Sequence, residues 1–134
     1  IPYVFTGSET HYKDLIRKAA KAQYFVRNEG LVFGKLFSDC PLNWRHADHN
    51  GHEVIRAGVD CNFFPIYEVE KGFTTLNYNP DDKGNKIPVH DWLKLMGKTK
   101  HLTKPENKDI LDAFQTEVDR RFAKIKAMSE HPDL

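Results

Sequence analysis

The feature that most constrains this 134-residue chain is a strand–helix–strand pattern in its first 37 residues. Tyr3-Val4-Phe5 is a short, partly β-branched apolar run, which predicts the end of a buried strand. Residues Tyr12–Arg27 have helical spacing and precede a glycine stop signal, and Leu31–Phe37 is a second, mostly apolar run. A strand, a helix and a strand with short connections form a βαβ unit, and such units build parallel sheets.

The predicted helix has two faces of different polarity. The residues that we expect to pack inward are Leu15, Ile16, Ala19, Ala20 and Gln23, and those that we expect outside are Lys13, Arg17, Lys18 and Lys21.

Two parallel strands and one crossover helix leave a sheet incomplete. Parallel sheets are normally buried on both faces, and independent stability needs three or more strands. The chain also opens with Ile1-Pro2-Tyr3-Val4, with neither an initiator Met nor a signal-peptide pattern. We therefore expect upstream sequence, a partner chain or both to complete the sheet, and the isolated chain not to fold as a stable monomer.

The rest of the chain predicts an α/β protein in which a partial parallel sheet is followed by a β-hairpin and C-terminal helices. The predicted elements are a polar loop at Pro41–Gly51, a helix at His52–Val59, hairpin strands at Phe63–Val69 and Phe73–Tyr78, and a helix with the stripe Val89, Trp92, Leu93 and Met96. Thr103 and Glu106 have the spacing of a capping box. The final predicted helix has an apolar face made of Ile110, Leu111, Phe114, Val118, Phe122 and Ile125.

Composition excludes several classes of protein. Twenty basic and nineteen acidic residues give a net charge of +1, which argues against a nucleic-acid surface. No apolar run approaches the roughly 20 residues that span a bilayer, so we expect no membrane partner. Two cysteines, Cys40 and Cys61, are too few for a disulfide scaffold. The pattern favours reduced cytoplasmic thiols, although a single bridge in an oxidising compartment stays open.

The polar loop offers one candidate metal site. His46, Asp48, His49 and His52 are residue types that ligate zinc, so a zinc-dependent hydrolase is one interpretation. Trp44 stands where the related hydrolase motif has a further histidine, and an ordinary solvated loop explains the same residues.

Cys40 is a second candidate ligand. It follows a predicted parallel strand, at the end of the sheet where open α/β proteins bind ligands, and Pro41 stiffens the backbone after it. One cysteine could serve only as one ligand of an iron–sulfur cluster, and the residues alone favour a small buried side chain. Cys61 lies in an apolar run and is predicted to be core.

Several motifs occur in an order typical of one enzyme family. They are Tyr3-Val4-Phe5-Thr6-Gly7-Ser8, Lys18-Ala19-Ala20-Lys21-Ala22, Gly30, Cys40-Pro41-Leu42-Asn43-Trp44, Ala57-Gly58-Val59, Phe64-Pro65-Ile66-Tyr67-Glu68, Pro88-Val89-His90-Asp91-Trp92-Leu93 and His101-Leu102. Through them the chain resembles the C-terminal part of the β subunit (the thiamine-diphosphate-binding subunit) of the 2-oxoacid:ferredoxin oxidoreductases, most closely the pyruvate type, pyruvate synthase. Asn43 replaces the usual glycine and Lys98-Thr99 the usual Arg-Phe, which leaves the 2-oxoacid open.

The resemblance implies a domain division and an activity. Residues 1–102 would be the C-terminal portion of a thiamine-diphosphate-binding α/β domain, and residues 103–134 a C-terminal helical extension. The family oxidatively decarboxylates a 2-oxoacid, here preferably pyruvate, to an acyl-CoA, and electrons pass through [4Fe–4S] clusters to ferredoxin. The implied partners are the other subunits, ferredoxin and coenzyme A, in the cytoplasm.

The resemblance also changes the expectation for Cys40. In this family the matching cysteine is a ligand of the [4Fe–4S] cluster nearest the thiamine, so Cys40 becomes the predicted metal ligand. The segment that holds thiamine diphosphate and Mg²⁺, and the other cluster cysteines, would lie upstream of Ile1, so no thiamine-binding or catalytic residue is predicted here. A zinc hydrolase and a non-catalytic subunit-interaction module remain the alternatives.

Overall fold

The computed structural model describes residues 1–133. In that range the strands are β1 (Tyr3–Ser8), β2 (Val32–Phe37), β3 (Tyr67–Glu70) and β4 (Phe73–Leu76). The helices are α1 (Tyr12–Asn28), α2 (Pro41–Trp44), α3 (Gly51–Asp60), α4 (Val89–Leu93) and α5 (Lys108–Glu130). Short 3₁₀ turns occupy several of the connections. No helix within residues 1–133 is both long and apolar enough to cross a membrane.

The four strands form one mixed sheet in the order β2-β1-β3-β4. β1 and β2 are parallel, with Tyr3 opposite Val32 and Ser8 opposite Phe37. β3 is antiparallel to both β1 and β4. The predicted α/β class, βαβ unit, hairpin and C-terminal helices are therefore confirmed. The hairpin extends the same sheet on the far side of β1.

The hairpin turn consists of two residues. Lys71 and Gly72 both have positive φ, at 49° and 86°, which is the combination that a tight hairpin turn requires. The strands are shorter than predicted, since residues 63–66 form a loop instead of the start of β3. Phe64 is drawn into the core there, and its N–H donates to the Gly58 carbonyl at 3.1 Å.

The main core lies between α3, α4, α5 and the end of β2. Its central ring is Phe37, which stacks on Phe64 at a centroid distance of 4.7 Å. The apolar face predicted for the last helix packs largely on this chain's own residues, with Val118 and Phe122 buried and Ile110 exposed. A second, smaller cluster of Tyr3, Phe5 and Phe25 lies between the sheet and α1.

The two faces predicted for α1 are only partly correct: Leu15 packs on the small cluster and Lys13 and Arg17 are exposed, as predicted, but other residues of the helix are not placed as predicted. Lys18 is completely buried, and its Nζ donates to the Thr6 carbonyl at 3.0 Å and pairs with Asp14 at 2.7 Å. Ile16 is 65% exposed instead, and Ala19, Ala20 and Gln23 are exposed with it. The cause is the polarity of the sheet beneath α1, which presents a backbone carbonyl and a buried carboxylate to the helix.

Two local predictions also need correction. The capping box does not form, because Thr103 donates to the Lys100 carbonyl at 2.6 Å and a 3₁₀ turn, Pro105–Asn107, precedes α5. The polar loop Pro41–Gly51 is not continuous coil, since it contains α2 and a 3₁₀ turn. The domain division after residue 102 stays a prediction, and Leu134, at its end, lies outside the described residues.

Glu68 on β3 is hydrogen-bonded to side chains of β1, of α1 and of the segment that follows β4. It is 3% exposed, and its carboxylate accepts from Arg17 at 2.6 Å and Lys21 at 2.8 Å, both on α1. It also accepts from Asn77 at 2.7 Å and from the Tyr3 hydroxyl at 3.3 Å. Burial acts to raise the pKa of Glu68, but the hydrogen bonds from Arg17, Lys21 and Asn77 outweigh it and lower the pKa to about 2.

We expect Glu68→Gln to destabilise the chain by about 2 kcal/mol at neutral pH, because Arg17 and Lys21 lose a buried carboxylate. The folded pKa lies below the ordinary value of about 4.3, so the stabilisation is complete above roughly pH 5 and is lost as the pH falls toward 2. Pulse proteolysis in urea, followed on peptides of this chain within its assembly, measures the difference.

The matched control is Glu117→Gln, which removes an exposed carboxylate paired with Arg120 and should change stability little. Equal resistance of the Glu68→Gln and parent chains at neutral pH would contradict the role assigned to Glu68.

Candidate functional site

Cys40 lies just past the carboxyl end of β2, where the parallel part of the sheet ends. It is an exposed free thiol in the N-cap position of α2, and Pro41 is the first residue of that helix. Proline suits this position because its fixed φ matches the helix and its missing N–H costs no hydrogen bond. The backbone therefore holds Cys40 at the surface, where its sulfur is open to a group outside this chain.

The segment that follows Cys40 is fixed by its backbone. Arg45 ends α2 with a left-handed conformation, φ 58° and ψ 61°. Its carbonyl accepts from the Gly97 N–H at 2.8 Å, and the Trp44 carbonyl accepts from the Lys98 N–H at 3.2 Å. A side chain at Gly97 would collide with Arg45, so this close approach requires glycine. The Trp44 ring packs 5.8 Å from Phe37, which ties the loop to the core.

Two positions where the sequence departs from the family pattern lie side by side here. Lys98 donates through Nζ to the Asn43 side-chain oxygen at 3.3 Å. Asn43 is in α2 and Lys98 is in the segment after α4, so this contact adds a side-chain link to the backbone links between the same two segments.

Cys61 has the opposite environment. It is completely buried, its Sγ donates to the Gly58 carbonyl at 3.5 Å, and burial raises the pKa of its thiol to about 12. The prediction that Cys61 is core is confirmed. Cys40 and Cys61 are both free, so the bridge left open by the sequence does not form.

The four candidate zinc ligands do not converge. The His46 side chain is buried, with Nε2 3.3 Å from Asp39 Oδ2 and Nδ1 2.9 Å from the Ala47 carbonyl. Asp48, His49 and His52 are exposed. No three His, Cys, Asp or Glu side chains within residues 1–133 are grouped so that they could hold a metal ion. The zinc site inferred from spacing is therefore not formed in the described range.

Three polar side chains at the end of β1, those of Ser8, Thr10 and His11, lie within hydrogen-bond distance of one another in turn. Residue spacing does not predict this arrangement. The Ser8 and Thr10 hydroxyls lie 2.9 Å apart, and Thr10 Oγ1 lies 3.1 Å from His11 Nδ1. The His11 ring packs 4.4 Å from Tyr78, and burial is the main cause that lowers the pKa of His11. Ser8 also caps the 3₁₀ turn that follows β1, since its hydroxyl accepts from the Thr10 N–H at 3.3 Å.

The two cysteines of this chain are too few to hold an iron–sulfur cluster on their own. Such clusters are held by four cysteine thiolates, and Cys40 is the exposed one of the two thiols. The buried, hydrogen-bonded Cys61 is unsuited to ligation. The residues therefore fit one ligand of a shared cluster and do not fit a complete cluster site.

Comparison with known proteins gives a consistent set of relatives. The chain is 34% identical over 130 residues to "Ketoisovalerate oxidoreductase subunit VorB" of Pyrococcus horikoshii, a match that covers 97% of this chain and 39% of that protein. It is 33% identical over 129 residues to "Pyruvate synthase subunit PorB" of Thermotoga maritima, covering 96% and 38% respectively. No protein-family model matches the chain.

A third relative is the "NADH-dependent phenylglyoxylate dehydrogenase subunit beta" of Aromatoleum evansii, 32% identical over 129 residues, which are 96% of this chain and 27% of that protein. The chain thus spans less than two fifths of the length of each of these relatives. The relatives are VorB- and PorB-type β subunits of 2-oxoacid:ferredoxin oxidoreductases, and the similarity extends over nearly all of this chain, which confirms the resemblance seen in its sequence.

Proposed function

We propose that this chain forms part of the β subunit of an enzyme that oxidatively decarboxylates a 2-oxoacid to an acyl-CoA. The exposed Cys40 thiol, in a Cys-Pro-Leu-Asn-Trp segment that matches the family motif at every position except Asn43, is the observation that carries the proposal. The relatives' names support the substrate class, because pyruvate, ketoisovalerate and phenylglyoxylate all have a keto group next to a carboxylate. Pyruvate is the substrate that the sequence motifs favour.

The overall reaction releases electrons that must leave the active site. A 2-oxoacid and coenzyme A give an acyl-CoA, CO₂, a proton and two electrons, and we propose ferredoxin as the acceptor. A [4Fe–4S] cluster, when bound, supplies one-electron transfer. We propose that Cys40 provides one thiolate ligand and that the other three come from outside residues 1–133.

The residues around Cys40 would hold this ligand in place. α2 and the backbone contacts of Trp44 and Arg45 fix the segment on the core, so the thiolate would need little reordering to bind. His46 and Asp39, next to this segment in the chain, contact each other at 3.3 Å with mostly buried side chains and would not ligate.

Thiamine diphosphate is proposed for the complete enzyme and not for this chain. The chemistry of the site requires Mg²⁺ held by carboxylate and amide oxygens against a diphosphate. No such group of acidic side chains is assembled within the range that the structure covers. We place the activity in the cytoplasm, since free thiols such as Cys40 and Cys61 are typical of a reducing compartment.

We expect Cys40→Ala in the complete enzyme to lower the iron content or change the cluster potential, because one of four thiolates is removed. Carbon–carbon cleavage belongs to the thiamine chemistry, so some decarboxylation of the 2-oxoacid should survive while ferredoxin reduction is lost. Iron content, the electron paramagnetic resonance signal of the reduced cluster, and ferredoxin reduction with pyruvate and with 2-oxoisovalerate are the measurements.

Cys61→Ala is the matched control. It should keep the iron and cost only stability, about 1 kcal/mol for trimming a small buried side chain. A full iron complement and normal electron transfer in Cys40→Ala would overturn the ligand assignment. Loss of the cluster in Cys61→Ala would show that Cys61 is the ligand.

The metal content of the unmodified complex tests the two alternative functions. A colourless complex with stoichiometric zinc would favour the zinc hydrolase, and a complex without metal would favour a subunit-interaction module.

We also expect the isolated chain not to bind thiamine diphosphate measurably. The physical reason is the absence, within residues 1–133, of an acidic cluster that could hold Mg²⁺ against the diphosphate. Isothermal titration of the chain with thiamine diphosphate and Mg²⁺ should give no saturable heat. Micromolar binding would mean that the cofactor site includes residues of this chain.

A further inference from the structure

A cavity of about 90 Å³ lies between α5 and one face of the sheet. This space is larger than a single water molecule requires, so a small ligand could enter it. The polar residues that line the cavity come from five separate parts of the chain: Thr6, Lys35, Asn62, Tyr67 and Arg121. The rest of the lining is apolar and includes Phe63, Val118 and Ile125. Among residues 1–133, no aspartate or glutamate lines the cavity.

The sheet forms one wall of this cavity. Thr6 on β1 is opposite Lys35 on β2, so the two side chains lie next to each other on the same face of the sheet. Thr6 Oγ1 donates to the Pro65 carbonyl at 2.6 Å and accepts from the Tyr67 N–H at 2.9 Å. These two hydrogen bonds hold the loop before β3 against β1, so this wall keeps its shape without a ligand.

Two basic side chains at the cavity have no acidic partner. Neither Lys35 nor Arg121 forms an ion pair with a carboxylate in residues 1–133, whereas Arg120, the neighbour of Arg121 on α5, binds Glu117 through two hydrogen bonds of 2.8 Å. Exposed basic side chains are common, but here two from different elements line one cavity that has no acidic residue. Such an arrangement attracts an anion.

Asn62 adds a buried polar group to the same cavity. It is 3% exposed, and its Oδ1 has no hydrogen-bond partner within the described range. Its backbone is left-handed, with φ 68°, and its N–H donates to the Val59 carbonyl at 3.0 Å. Glycine would satisfy this turn after α3 without burying an amide, so the turn alone does not account for the Asn62 side chain. Rotation of the amide can present either Oδ1 or an N–H to a ligand.

We propose that this cavity binds a small carboxylate with an apolar substituent, the chemical class of short-chain fatty acid anions. The carboxylate would lie between Arg121 and Lys35, because a guanidinium can bind two carboxylate oxygens at once. The Asn62 amide would donate to the same carboxylate, and the substituent would contact Phe63 and Val118. A phosphate ion fits less well, since it has no apolar part to place against that wall.

Equilibrium binding to the native assembly tests the proposal. The tagged chain is purified from its own cells together with its partners, and isotope-labelled isobutyrate and inorganic phosphate are the two probes. We expect saturable binding of isobutyrate that depends on Arg121. Phosphate should bind about tenfold more weakly or less, because it gains nothing from the apolar wall.

Two neighbouring arginines on α5 give a matched pair of variants. Arg121→Gln should weaken isobutyrate binding by about tenfold or more, because it removes a charged hydrogen-bond donor from the cavity. Arg120→Gln removes a guanidinium that already has Glu117 as its partner and that does not line the cavity, so it should leave isobutyrate binding unchanged. Both arginines are exposed, so neither change should prevent folding.

Asn62→Asp tests the sign of the ligand's charge. Aspartate has nearly the shape of asparagine and tolerates the same left-handed backbone, but it places a negative charge beside Lys35 and Arg121. This variant should lose isobutyrate binding while its resistance to pulse proteolysis in urea is unchanged or greater, because the new carboxylate can pair with the two cations.

Three results would overturn the proposal: no saturable binding of isobutyrate, equal binding by Arg121→Gln and Arg120→Gln, or phosphate binding as tight as that of isobutyrate. The proposal does not rest on the proposed function, because Cys40 is not among the residues that line the cavity. An assembly that binds isobutyrate through Arg121 but contains no iron would overturn the function and leave this site standing.

Discussion

Glu68 accepts hydrogen bonds from side chains on three different parts of the fold, and their relative positions depend on it. Tyr3 is on β1, Arg17 and Lys21 are on α1, and Asn77 follows β4. A buried carboxylate without these donors would be costly, so the network and the packing of α1 form together. This constraint turns α1 so that Lys18 and Lys21 face the sheet, and it leaves Ile16, Ala19 and Ala20 exposed.

The orientation of α1 therefore decides both which side chains contact the sheet and which are exposed to solvent. The helix satisfies Glu68 and the Thr6 carbonyl with Lys18, Arg17 and Lys21, and only the small cluster around Phe25 is apolar. The larger core lies on the other side of the chain, around Phe37, and it supports the Cys40 segment through Trp44. The part of the chain around Phe37 is therefore well packed and carries Cys40, the candidate ligand. In the other part, the edge strand β2 and the helix α1 leave apolar side chains exposed.

Much of this architecture could be predicted from the residues. Alternation of apolar runs with turn residues located the βαβ unit and the hairpin. The burial of Cys61 followed from its apolar neighbours. Periodicity failed for α1, because it counts lysine as a surface residue and cannot detect a buried carbonyl or carboxylate that a lysine satisfies. Residue type and spacing failed for the zinc candidates, since closeness along the chain did not bring Asp48, His49 and His52 around one point.

The proposed role of Cys40 depends on a group that this chain can hold only in part, so its most direct test locates the metal. Anomalous diffraction at the iron absorption edge, on crystals of the intact complex, shows the positions of iron atoms independently of activity. We expect an iron peak bonded to the Cys40 sulfur and none beside Cys61. A complex with full iron content whose iron lies away from Cys40 would contradict the assignment.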